Sequence, residues 1–145
     1  MRVRFRETMQ GRWSPTSDPH DERALCFTLE ATSRSLASFV SRREVAITGT
    51  VDAEGLASGA RLYGTLGLDV LRTGTLPYDF RFLGNDGRRK RFVGQKTVML
   101  SRLADTMTTL PAVLQDDDGR ELGTGEVRFD LRDLPSFLRS WTIVR

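Results

Sequence analysis

Hydrophobic and polar residues alternate in twos along most of this chain. Val3, Phe5 and Met9 alternate with Arg2, Arg4 and Arg6, and Leu25, Phe27 and Leu29 with Cys26, Thr28 and Glu30. Val45, Ile47 and Val51 follow, then Leu62, Leu66 and Leu68. Leu76, Tyr78, Phe80 and Phe82 oppose Asp79 and Arg81; next come Phe92, Val98 and Leu100, then Leu110, Ala112 and Leu114, and last Val127, Phe129 and Leu131. A period of two is the mark of a strand with one face in the core and one in water. The pattern predicts about eight such strands.

Parallel strands are buried on both faces and run continuously apolar, so alternation this regular predicts antiparallel pairing. Turn chemistry agrees: "LGNDGRR" and "QDDDGRE" place Asn, Asp and Gly between strands, where hairpins need residues that tolerate positive φ. Glycines inside strand patterns, such as Gly64, Gly67, Gly94, Gly123 and Gly125, predict bulges or sharp bends. Two segments change period. "SRSLASFVSRR" (33–43) and "RDLPSFLRSW" (132–141) space their apolar residues for one stripe of a helix. "SPTSDPHDE" (14–22) is expected to be one exposed loop. The expectation is all-β: a barrel or sandwich of mainly antiparallel strands with two short helices, forming one domain over 1–145. Its core would hold Phe5, Leu25, Phe27, Leu29, Val45, Ile47, Leu66, Leu68, Tyr78, Phe80, Phe82, Val98, Leu110, Leu114, Val127, Phe129, Phe137 and Leu138.

Two charges fall out of phase with this pattern. In "RKRFVGQKTVML" (89–100), Lys96 shares a face with Phe92, Gly94, Val98 and Leu100. On the first strand, Glu7 shares a face with Val3, Phe5, Met9 and Gly11. An unpaired ion in a core costs several kcal/mol or changes its protonation state. Opposite charges that both point inward are therefore expected to meet. Such a pair can fix strand register, anchor a ligand in a cavity, or act as a catalytic acid and base.

The 145 residues carry 28% charged and 39% hydrophobic side chains with a net charge of +3, ordinary values for a globular protein. The single cysteine, Cys26, can close no internal disulfide, and "MRVRFRETMQ" holds no apolar run of a signal peptide. No stretch approaches the roughly 20 apolar residues of a spanning helix. A soluble cytoplasmic protein is the expectation. With one histidine, His20, in an acidic loop, metal triads and Ser-His-Asp sites have nothing to build on. "DDDG" lacks the alternating ligands of a calcium loop. The basic run "GRRKR" (87–91) is expected at a solvated hairpin tip, and the aromatics near it face inward. Nucleic acid, which is usually stacked on exposed rings, is therefore an unlikely partner.

"FRETMQG", "GTV", "YDFRFLGNDG", "GQKTVML", "DTMTTL" and "FDLRDLPSFLRSW" together resemble a β-rich accessory module of bacterial GMC-type, cholesterol-oxidase-like oxidoreductases and its small stand-alone relatives. The flavin-binding fingerprint is absent, since "GTG" (123–125) runs into a strand. The resemblance thus implies a module without catalytic residues or cofactors. Three functions compete. The first is a non-enzymatic binding module for a lipid-like ligand or an oxidoreductase or hydrolase partner. The second is a small barrel enzyme with Glu7 and Lys96 as acid and base. The third is a structural or self-associating domain, which leaves a homodimer open.

Overall fold

The computed structural model describes residues 2–33, 44–67, 75–97, 109–129, 139 and 142–144. Its strands are β1 (Arg2–Pro15), β2 (Arg23–Thr32), β3 (Glu44–Ala53), β4 (Ala57–Gly67), β5 (Thr75–Leu83), β6 (Arg89–Thr97), β7 (Thr109–Asp116), β8 (Glu121–Arg128) and β9 (Thr142–Val144). Each pairs antiparallel with the next from β1 to β8, and β8 pairs back onto β1. The result is a closed, eight-stranded antiparallel barrel, with β9 as an added short strand. The segments expected to be helical fall outside the described residues except for Ser33 and Arg139. So do Leu68, Val98, Phe137 and Leu138.

Closure rests on β1. One edge pairs with β2 from Arg4↔Thr32 to Trp13↔Arg23. The other edge is shared: Gln10–Pro15 pair with β8, and Arg2–Arg4 with β9. A strand of 14 residues, more than twice the usual five or six, gives both neighbours room. It also runs on through Trp13 to Pro15, into the stretch expected to begin a loop. Trp13 is accordingly a core residue.

Tight turns gather at one end of the barrel. Gly84–Arg88 and Asp116–Arg120 close in the same way: the first residue's N–H donates to the fifth residue's carbonyl, and a glycine at positive φ donates back to the first. This is a three-residue hairpin loop in which glycine takes the left-handed position. The connections that leave β2, β4, β6 and β8 start from the opposite, far end of the barrel.

Alternation decides what fills the lumen. Among the described residues, every expected core side chain is buried. Phe27 of β2 meets Phe80 and Phe92 edge-on at 5.3 Å each, and Phe80 stacks on Phe92 at 4.5 Å. Rings from opposite walls thus pack the turn-end half of the interior. The basic run corrects one expectation. Lys90 does not sit at a solvated tip, because β6 starts at Arg89 and puts Lys90 in phase with Phe92. It is 6% exposed and reaches the rim to pair with Asp86 at 2.9 Å.

Candidate functional site

Glu7 lies in β1 between Phe5 and Met9 in phase, so its side chain enters the lumen with theirs. β5 stands four strands around the barrel from β1, on the opposite wall, and carries Tyr78 in the same phase as Phe80. Lys96 projects from the neighbouring strand, β6, in phase with Phe92. All three are buried, at 7%, 2% and 3% exposure.

They meet across the lumen. The Tyr78 hydroxyl donates to Glu7 Oε1 at 2.7 Å, and Lys96 Nζ donates to Glu7 Oε2 at 3.4 Å. The ammonium also stands 5.2 Å from the centre of the Tyr78 ring, within cation–π range. The structure therefore brings together the two charges picked out by their phase. It adds a third member that sequence reasoning placed in the core only for its apolar ring. A signal was present: a buried tyrosine among phenylalanines usually needs a partner for its hydroxyl. Burial first, then the Glu7 charge and the hydrogen bond to it, push the Tyr78 phenol well above its ordinary range. The group stays a neutral donor.

The trio sits on the far-end side of the phenylalanine cluster, since Phe27 and Phe80 lie two residues along β2 and β5 toward the turns from Leu29, Glu7's partner, and from Tyr78. Around it the inward side chains include the apolar Phe5, Ala31, Leu66, Leu76 and Leu110, with buried Ser33 two residues beyond Ala31.

The wall beside Lys96 is incompletely laced. The β6–β7 ladder ends at Gly94↔Ala112, so Gln95–Thr97 and Thr109–Pro111 have no ladder partner across this gap. Pro111 explains part of it. Its carbonyl faces β6, since a Cβ on Gly94 would come within 2.7 Å of it. The N–H that proline lacks is missing from that same edge. On the outer face, over the paired stretch next to this gap, runs a groove of about 540 Å³ walled by Pro77, Val93, Gln95, Pro111 and Val113.

Other candidates stay apart from this trio. His20 is exposed in its loop. Cys26 is half-buried on the outer face, and burial, followed by the nearby Asp52 charge, pushes its thiol up. That disfavours the reactive thiolate. Among the described residues, no three His, Cys, Asp or Glu side chains gather as metal ligands would, and no helix is long and apolar enough to cross a membrane.

Comparison with protein families and with curated proteins gives no match. Two solved structures are similar in outline. One is a de novo designed fluorescence-activating β-barrel, 18% identical with a TM-score of 0.46, covering 86% of this chain and 92% of that one. The other is a redesigned β-barrel, 14% identical with a TM-score of 0.48, covering 86% and 90%.

Proposed function

We propose that this protein is a non-enzymatic binding barrel that holds a small, lipid-like molecule at the far end of its lumen, against Glu7, Tyr78 and Lys96. One observation carries the reading: a carboxylate, a phenol and an ammonium converge among mostly apolar buried side chains. Binding sites for small molecules combine those two features, mostly apolar walls and a few converging polar groups. An oxidoreductase or hydrolase acting on lipid-like substrates is the partner class that the resemblance to GMC-type accessory modules suggests. Acid–base catalysis by Glu7 and Lys96 is less well served, because both oxygens of Glu7 already accept hydrogen bonds and hold it in place.

Titration with Nile red, a neutral fluorophore that brightens in apolar surroundings, tests the proposal. Saturable binding near one dye per chain is expected. It should weaken at least about tenfold in the Glu7→Leu/Lys96→Met double variant with its near-ultraviolet circular dichroism intact. Dye emission that never saturates, or that is unchanged in the folded double variant, would sink the idea.

A further inference from the structure

We infer that the lumen selects ligands with a neutral, oxygen-bearing head, an alcohol above all, and rejects fatty anions and amines; this rests on the binding reading above. The argument is one of charge and hydrogen-bond inventory. Glu7 and Lys96 are 3.4 Å apart and both buried, so each charge is already answered by the other. Tyr78 adds none, because its proton stays on the phenol. The trio is therefore neutral as a unit.

A carboxylate head entering beside it would approach Lys96 but also Glu7, whose charge already answers that cation. Losing hydration without a partner is costly for an ion and modest for a hydroxyl. A fatty amine meets the same difficulty with the signs reversed. A hydroxyl meets none of it.

The inventory also fits. An ammonium has three N–H donors, and the described residues give Lys96 one acceptor, Glu7 Oε2. The Tyr78 proton is committed to Glu7 Oε1, which leaves the phenol oxygen able to accept. Among the described residues the trio thus offers a donor from Lys96 and an acceptor at Tyr78. A hydroxyl can use both at once, accepting through its oxygen and donating through its hydrogen. A ketone can use only the first.

Three ligands of equal chain length separate the possibilities: lauryl alcohol, laurate and lauryl amine, each competing with Nile red at about pH 8, where the last two are ionised. The alcohol should displace the dye at least about tenfold more effectively than either ion. The order should then follow the charge left behind. In Glu7→Gln, which keeps an acceptor for Tyr78 but leaves Lys96 uncompensated, laurate should gain most. In Lys96→Met, which leaves Glu7 alone, the amine should gain most. Laurate equal to or better than the alcohol on the unaltered protein overturns the inference while leaving the binding barrel standing. So does a head-group order that neither substitution moves in folded protein. If neither the dye nor any of the three chains binds, the binding reading fails and the inference falls with it. Should one variant fail to fold, the order on the unaltered protein still decides.

Discussion

Glu7, Tyr78 and Lys96 bring a carboxylate, a phenol and an ammonium together in the interior, and each substitution there has a predictable sign. Lys96→Met leaves a carboxylate buried without its cation, which should cost about 3–5 kcal/mol in urea unfolding. Adding Glu7→Leu removes the stranded charge and should restore most of that loss. The double-mutant cycle should give a coupling above about 1 kcal/mol; small, additive losses would mean that one of the charges reaches water. Tyr78 gives an alkaline signature. Its phenol is raised in the folded protein by burial and by Glu7. The contribution is thus complete below the ordinary phenol value of about 10. Above that pH the unfolded chain releases a proton that the folded barrel keeps, so stability should fall as pH rises. Tyr78→Phe should flatten this fall in urea midpoints measured between about pH 9 and 11. An unchanged slope would show that the phenol is not held in this way.

At the scale of the strands, glycine and surface charge do separate jobs. On β3, a Cβ added to Gly49 would fall on the carbonyl oxygen of Thr28 in β2. Backbone is in the way there, not a side chain that could swing aside. Gly49→Ala should therefore force the β2–β3 ladder apart and cost about 2 kcal/mol or more; a urea midpoint within error of the unaltered protein would refute that. Between β5 and β6, Arg91 grips Asp79 through two hydrogen bonds on the outer face and holds its carboxyl below the usual range. A lowered carboxyl contributes above its unfolded value of about 3.9 and loses that contribution as pH falls through the folded one. Both side chains are more than a third exposed, 39% for Asp79 and 37% for Arg91. Solvent screening therefore keeps the term within about 0.2–1 kcal/mol. Asp79→Asn should remove that small acid-side slope and leave neutral stability nearly unchanged.

The molecule as a whole is held shut by pairings between distant parts of the sequence. β1 meets β8 and β9 after the intervening strands have gone once around. The same closure sets Arg2 opposite Val144, so the two ends of the sheet lie side by side. A circular permutant that joins them through a short Gly/Ser linker and opens the chain in the Asp117–Gly119 turn should keep the barrel. Its far-ultraviolet circular dichroism should match that of the original, with a Tm lower by no more than about 10 °C. Loss of the β signal would show that the Asp116–Arg120 hairpin is needed to start closure. Closure late in the chain also predicts slow folding, in the millisecond-to-second range of non-local β topologies.

Sequence alone determined the eight barrel strands, though not the short β9, and their inward faces, because alternation is a local consequence of the pleat: successive side chains must point to opposite sides. That suffices to mark Glu7 and Lys96 as inward charges, and it places the hairpin glycines Gly87 and Gly119 at positive φ. Phase within a strand says nothing of who stands opposite. The meeting of Glu7 with Lys96, and the choice of Tyr78 as the third member, depend on the number of strands and on β8 closing onto β1. Lys90 shows the same limit: its place in a basic run suggests water, whereas the point at which β6 begins puts it inside. The end of the β6–β7 ladder at Gly94↔Ala112 is likewise set by which strands become neighbours, and Pro111 contributes to it only because its bare edge faces β6. Local chemistry fixes which way a side chain points; only the closed barrel decides what it meets.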